Sequence, residues 1–362
     1  MNQTQSSMND FAQRVFVALG IASLFALAFL TVWYLPDVLL ILFAGILLAV
    51  FLRGLANLLS HYTLLPKNVA LIIAIVAFFA GIGGLLWLFG PAIANGFDKL
   101  FESLNKAVDQ LQQLIQQYNF LQQALQTLRS NAMSLIPERL GRIIGLFSSA
   151  IGLATTFFFI VITGIYLCIE PHIYINSSVR LLPINKRERA SNVLYTVGRV
   201  LRWWLLGRIA SMLLVGVLTW IGLFLLNIPS ALPLAVLAAL LAFIPNIGPV
   251  LSAIPAILMG LTQGLWVALY VVLLYIAVQT VESYLITPLI QRRAIAIPPG
   301  FLLAIQLIMG VAAGAFGLLL ATPLAVVVMV LIKMLYLEDT LGDSITLPHN
   351  ALPQKQPNQQ HS

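Results

Sequence analysis

The sequence predicts an all-α, polytopic membrane protein with about eight membrane helices, two of which are broken into hairpins. Of its 362 residues, 60% are hydrophobic and only 9% are charged, and the mean hydropathy is +0.97. A hydrocarbon core about 30 Å thick needs roughly 20 apolar residues per helix, and such runs recur along the chain. A soluble domain could not bury so much apolar surface, so we expect the chain to lie in a lipid bilayer.

Six apolar runs are predicted to span the membrane. They are Val15–Leu35, Val38–Leu52, Val69–Phe89, Ile143–Ile169, Leu205–Leu226 and Leu265–Thr287. The first is longer than the apolar region of a secretory signal and lacks a small-residue cleavage site, so we interpret it as a retained span. The single cysteine, Cys168, predicts neither an internal disulfide nor a thiolate metal site. We expect no metal and no cofactor.

Two further apolar regions, Ala231–Leu261 and Gly300–Leu335, are interrupted. The first breaks at residues 245–249, and the second breaks at a cluster formed by Gly310, Gly314 and Gly317. Most of the resulting arms are too short to cross a bilayer. We therefore expect two re-entrant hairpins, each of which enters and leaves the membrane on one side. The alternative is that proline and glycine only kink continuous spans.

Basic residues predict the orientation. The segment from His172 to Arg208 is strongly basic, which favours the cytoplasm, and both termini are then cytoplasmic. If each interrupted region forms a hairpin, Arg292 and Arg293 lie on the cytoplasmic side. If each interrupted region crosses the membrane once, the two arginines lie on the outer side. The net charge of +7 is therefore explained by basic residues in the cytoplasmic loops, and it does not indicate nucleic-acid binding. The last two full spans and their hairpins form an inverted repeat, an arrangement in which secondary transporters hold substrate near the midplane.

The predicted organisation has six parts. Residues 1–94 hold N-terminal membrane helices, 95–142 an extramembrane amphipathic helical segment, 143–170 a membrane helix, 171–204 a basic cytoplasmic connector, 205–337 a transport module, and 338–362 a disordered tail. The extramembrane segment has an apolar seam from Phe97 to Tyr118 with alternating spacings of four and three residues. The partner of this seam is either the rest of the same segment or a neighbouring subunit.

Glu282 is the clearest candidate for chemistry inside a span, because an ionisable residue is costly there and marks a functional site by default. Helical spacing places Tyr275, Gln279, Glu282 and Ser283 on one face. Glu282 either takes part in transport or ion coupling, or it pairs with an arginine.

The break that contains Pro245, Asn246, Gly248 and Pro249 is a second candidate. Proline removes backbone donors and glycine tolerates positive φ, so this sequence should leave carbonyl and amide groups unpaired within the membrane. These groups would contact a polar solute, unless the break is only a structural turn.

Enzymatic activity is not expected. The four histidines all lie outside the apolar spans, and the chain has neither a His-Glu-x-x-His motif nor a nucleotide-binding P-loop. The remaining function classes are a secondary transporter, a channel and a non-transporting membrane scaffold.

Three C-terminal segments carry a family resemblance: FIPNIGPVLSAIP at 243–255, QTVESYLITPLIQ at 279–291 and GLLLATPLA at 317–325. In order and spacing they resemble the signatures of the autoinducer-2 exporter family, also called PerM-like permeases. The resemblance implies a multi-pass permease of the bacterial inner membrane that forms a homo-oligomer, with the pentamer as the implied form. It also implies that two helical hairpins hold substrate and move in an elevator-type mechanism.

The same resemblance implies a substrate and a set of site residues. The expected solute is small and polar, similar to autoinducer-2, and we expect it to be neutral on the ground that the spans lack fixed ion pairs. Some family members resemble sodium or lithium/proton antiporters, and here such antiport would use Glu282. The residues carried over by the resemblance are Pro245, Asn246, Gly248, Pro249, Gln279, Glu282, Pro288, Gly317, Thr322 and Pro323.

Overall fold

The structure is a computed structural model. It describes residues 36–63, 65–116, 150–286 and 297–343, together with residues 23 and 288. The first predicted span apart from residue 23, all of residues 117–149, Arg292 and Arg293, and residues 344–362 of the predicted C-terminal tail lie outside the described residues.

The N-terminal part of the described chain is a group of three helices. Helix α1 (Pro36–Tyr62) packs against α2 (Lys67–Gln116) and α3 (Ala150–Ile169). Glycines allow α1 and α3 to approach closely: a Cβ added at Gly45 would press on Thr163, and one added at Gly164 would press on Leu48. Small residues of this kind are typical of membrane helix interfaces.

Helix α2 is longer than the span predicted within it. It has 50 residues and continues through Pro91 to Gln116, so it is about 75 Å long, more than twice the thickness of a hydrocarbon core. The predicted boundary at residue 94 is therefore not a break in the helix. Between Ile72 and Trp87 its side chains are largely exposed, as expected for a face in contact with lipid.

Helix α5 (Ile184–Leu225) joins the basic connector to a membrane span without interruption. It follows α4 (Pro171–Arg180), which is bent by 84° from the end of α3. Arg189 at the start of α5 donates to the Met334 carbonyl (2.9 Å) and forms ion pairs with Glu338 (3.0 Å) and Asp339 (2.8 Å). These contacts attach α5 to the end of the described chain.

Helices α6 (Ala231–Leu241) and α7 (Ile247–Gln263) pack against each other across a short break. The break covers residues 242–246, slightly earlier than predicted, because Gly248 and Pro249 belong to the first turn of α7. Proline is tolerated there, since the first turn has no intrahelical partner for its N–H. The Cα of Gly248 lies so close to Leu241 that a Cβ would overlap its carbonyl oxygen. Residues seven apart in a continuous helix are about 10 Å apart, so the chain bends sharply at this break.

A second break interrupts α9 (Pro299–Leu331), which follows α8 (Leu265–Val281) in the described chain. Ala313 (φ −136°, ψ 18°) and Gly314 (φ 61°, ψ −143°) leave the helical conformation, inside the predicted glycine cluster. A Cβ at Gly317 would overlap the Met309 carbonyl oxygen, so the chain is sharply bent here too. Phe243 from the first break and Ala313 and Phe316 from the second belong to the same apolar cluster.

The prediction of an all-α membrane protein is confirmed for the described residues. Among them, five helices are long and apolar enough to cross a membrane, or six if α3 and α4 are counted as one bent span. Helices α6 and α7 are shorter.

The close approach at the first break makes Gly248 sensitive to substitution. We expect Gly248→Ala to destabilise the protein by about 1–3 kcal/mol, the usual cost of overpacking, because the methyl group would meet backbone rather than a flexible side chain. Gly198→Ala on α5 is the control, since nothing lies within 4 Å of its added Cβ. The measurement is thermal unfolding in detergent. Equal melting temperatures for the two variants would contradict the close approach of Gly248 to Leu241.

Candidate functional site

A buried ion pair lies where α5, α8 and the first break meet. Arg208 Nη1 is 3.1 Å from Glu282 Oε1, and only 8% and 6% of the two side chains are exposed. Ser211, one helical turn after Arg208, also donates to Glu282 Oε1. Burial of two charges is costly unless the geometry is good and further hydrogen bonds satisfy both groups. The site meets this condition.

The second carboxylate oxygen of Glu282 is held by its own helix. Gln279 Nε2 donates to Glu282 Oε2 at 2.9 Å. From Glu282 to Ile286 the chain adopts a π-helical turn, a feature that occurs often at functional sites. Both carboxylate oxygens therefore have donors, and Glu282 is fully engaged.

Arg208 also holds the first break in place. Its Nε donates to the carbonyl oxygen of Phe243 at 3.2 Å, one of the groups left without a helical partner after α6 ends. The Phe243 ring packs edge to face against Trp204 at a centroid distance of 5.7 Å. One arginine thus connects α5, α8 and the α6–α7 break.

The tip of the break is a strained turn. Asn246 has φ 66° and ψ −51°, and the Ile247 N–H donates to the Pro245 carbonyl at 2.8 Å. These values describe a γ-turn of the rare, strained form. Gln306 on α9 adds a second bond, because its Nε2 donates to the same Pro245 oxygen at 3.0 Å. The two broken helices are therefore in direct polar contact.

The structure brings together several of the predicted residues. Gln279 and Glu282 converge on Arg208, and Pro245 and Asn246 form the turn that Gln306 contacts. Asn246 itself is exposed, whereas Gly248 is buried. Pro249 is half-buried in the first turn of α7, where its carbonyl accepts from Ser252 at 3.0 Å.

The remaining predicted residues lie on the second arm of α9. Gly317 forms the close approach of the second break, while Thr322 and Pro323 are buried beyond it. The Thr322 hydroxyl has no hydrogen-bond partner among the described residues.

The predicted polar face of α8 is correct only in part. Gln279 and Glu282 point to the site, and the Tyr275 hydroxyl donates to the Ser252 carbonyl on α7 at 3.1 Å. Ser283 is exposed instead, because adjacent residues of a helix point in different directions around its axis.

Sequence reasoning missed Arg208, Ser211 and Gln306. The orientation prediction counts Arg208 in the basic segment from His172 to Arg208, although it lies within the apolar run that starts at Leu205. The sequence did contain a signal for the pair. An arginine that lies inside a span needs a buried acidic partner, and Glu282 is the acidic residue within the last full-length apolar run. Gln306 gave no pattern of its own.

The expectation that the spans lack a fixed ion pair is wrong, since Arg208 and Glu282 form one. The pair nevertheless cancels its own charge, so the cluster has no net charge to offer an ionic ligand. Two neutral groups on α9 have spare hydrogen-bonding capacity: the Gln306 Oε1 and, further along the helix, the Thr322 hydroxyl. Both are buried, and neither has a partner among the described residues. No group of three or more metal-ligating side chains occurs in the described part of the chain.

Known proteins similar to this chain are named as transport proteins. A sequence profile described as “AI-2E family transporter” matches residues 22–336. The Bacillus subtilis protein named “Putative transport protein YueF” is 24% identical over 339 residues, which cover 89% of each chain. The Mycobacterium tuberculosis protein named “Putative transport protein MT0215” is 28% identical over 72% of each chain. The Escherichia coli “AI-2 transport protein TqsA” is 30% identical over 125 residues, 34% of this chain and 36% of that protein.

The buried pair predicts a specific pattern of stabilities. We expect Arg208→Met and Glu282→Leu each to destabilise the protein by about 3–5 kcal/mol, because each leaves one buried charge unpaired. The double variant should recover part of this loss, since it buries no unpaired charge. Thermal unfolding in detergent measures all three.

Arg189→Met is the matched control. Its ion pairs are about one-third exposed, so its loss should cost no more than about 1 kcal/mol. If the double variant lost as much stability as the two single variants together, Arg208 and Glu282 would not be energetically coupled.

Proposed function

Because this chain belongs to the AI-2E transporter family, we propose that it is a secondary transporter that exports a small, neutral, polar solute. Its multi-pass helical fold and its transporter relatives support membrane transport in general. The neutral solute is proposed from the site, and the direction of transport from the family resemblance of the C-terminal segments.

One observation carries the proposal for a neutral solute: the strongest charges of the site are already paired with each other. An anionic solute would have to displace Glu282 from Arg208, and a cationic solute would have to displace Arg208 from Glu282. Either exchange would leave a buried charge unpaired, which costs several kcal/mol. A neutral solute can hydrogen-bond to the buried Gln306 Oε1 without disturbing the pair, once a movement of the broken helices uncovers this group.

The proposed mechanism is alternating access by the two broken helices. Each break bends the chain sharply, and Gln306 of the second broken helix binds Pro245 of the first break. If each arm pair is a re-entrant hairpin, the tips meet within the membrane, where discontinuous helices hold substrate in secondary transporters. We propose an elevator-type movement of these hairpins in the bacterial inner membrane, with both termini cytoplasmic. We further propose a homo-oligomer, with the pentamer as the form to test.

Autoinducer-2 is the solute we propose to test first. TqsA, a similar protein, is named for its transport, and the C-terminal segments of this chain resemble the exporter family of that signal. The similarity to TqsA covers only about one-third of this chain, so the solute is a proposal for this protein.

Sodium or lithium/proton antiport through Glu282 is the second candidate. A buried carboxylate in a membrane helix is the usual place for a coupling ion, and Glu282 is one. Against this, the Arg208 guanidinium lies 3.1 Å from the carboxylate, where a bound cation would need to lie. Antiport would require Arg208 to leave during the cycle.

Flux measurements should separate the two candidates. We expect purified protein in proteoliposomes to release preloaded autoinducer-2, and we expect Arg208→Met to reduce the rate at least about tenfold, since the loss of a buried charge partner disturbs the first break. Arg189→Met should retain the wild-type rate. The assay is efflux of the signal over time, compared with protein-free vesicles.

A pH-sensitive dye in everted vesicles tests the antiport candidate. Sodium- or lithium-dependent dequenching that disappears in Glu282→Gln would overturn the neutral-solute proposal in favour of antiport. A membrane scaffold would show neither flux.

The hairpin topology has its own test. In a Cys168→Ala background, a cysteine at Asn227 should react with an impermeant thiol reagent added outside the cell. A cysteine at Ala294 should react only from inside, because paired hairpins keep the adjacent Arg292 and Arg293 cytoplasmic. Labelling of the Ala294 position in intact cells would eliminate the paired hairpins.

A further inference from the structure

Gln306 stands apart from the other polar residues of the site, because it belongs to one broken helix and binds the other. It lies on the first arm of α9, is only 1% exposed, and donates from Nε2 to the Pro245 carbonyl at 3.0 Å. A buried amide on an apolar helix is unfavourable unless it is hydrogen-bonded. Its position therefore calls for a physical explanation beyond packing.

The target of the bond is the strained part of the site. The Pro245 oxygen already closes the γ-turn at Asn246 by accepting from Ile247 N–H, and a turn of this form persists only where its surroundings hold it. Arg208 holds the carbonyl of Phe243, two residues earlier. Gln306 is the group from α9 that holds the turn itself.

The orientation of the Gln306 carboxamide is determined by this contact. A carbonyl oxygen only accepts, so Nε2 must face Pro245 and Oε1 must face away. Oε1 is buried and has no hydrogen-bond partner among the described residues. The bond to Pro245 thus leaves a fixed acceptor beside the break.

From these observations we propose that Gln306 is the positioning residue that couples the two broken helices and holds the Asn246 turn in the conformation that binds the solute. The role of Gln306 in solute binding rests on the proposed transport function. Its role in holding the turn does not depend on that function. When Gln306 is bonded to Pro245, the turn is closed and the buried Oε1 is oriented to accept a hydrogen bond from a solute donor once a movement of the broken helices uncovers it. Without this bond the turn opens, and only a fraction of the protein is competent to bind.

The proposal predicts two changes in Gln306→Met, a variant that keeps the length of the side chain and removes its hydrogen bonds. Hydrogen–deuterium exchange at the Ile247 amide should become about tenfold faster, the effect of losing one typical hydrogen bond. The KM for autoinducer-2 should rise about tenfold as the competent fraction falls, while the maximal rate stays within about threefold. Exchange is measured by mass spectrometry on the full chain in nanodiscs, and KM by efflux from proteoliposomes.

Gln263→Met is the matched control. Gln263 Nε2 also donates to a backbone carbonyl, that of Asn227 at 3.0 Å, but it lies at the opposite end of α7 and is exposed there. This variant should leave both Ile247 exchange and KM unchanged. If it altered them as much as Gln306→Met did, a specific role for Gln306 would be excluded.

Three further outcomes decide the inference. Wild-type exchange at Ile247 in Gln306→Met would overturn the coupling. Faster exchange with an unchanged KM would overturn the role in solute binding. If the wild-type protein moves no autoinducer-2, the proposed function fails for that solute, and the exchange result alone decides whether Gln306 couples the broken helices.

Discussion

The structure depends on how the backbone groups freed at two helix breaks are satisfied inside an apolar bundle. A continuous helix satisfies its own N–H and C=O groups, but a break exposes several of them where no bulk water is present. In this protein side chains from other helices supply the partners. Arg208 binds the Phe243 carbonyl and Gln306 binds the Pro245 carbonyl, so the first break is stable because α5 and α9 hold it.

The Arg208 contact brings a requirement of its own. A guanidinium at this depth needs a counter-charge, and Glu282 on α8 supplies it while Ser211 and Gln279 satisfy the remaining carboxylate positions. The ion pair is thus explained by the need to bring a strong donor to the break. It also leaves the site neutral overall, which connects the stability of the fold to the type of solute that it can bind.

The polar contacts form a sequence that crosses the bundle. Glu282 on α8 binds Arg208 on α5, Arg208 binds the first break, and the first break is bound by Gln306 on the second broken helix. Both breaks also border one apolar cluster that includes Trp204 and Ala313. A movement of either broken helix would therefore change contacts at the other, which is the kind of coupling that alternating access requires.

The sequence by itself determined the membrane class, the helical fold and the location of both breaks, because these depend on local properties: hydropathy over about 20 residues and the backbone effects of proline and glycine. It also identified Glu282 and Gln279, since a polar residue in an apolar run is visible without a structure. Only the tertiary structure decided what these residues do. Arg208 and Glu282 are 74 positions apart and Gln306 and Pro245 are 61 apart, and helical periodicity cannot indicate which distant helix faces which. The partner of a buried polar group is set by how the helices pack, and packing is a property of the whole bundle.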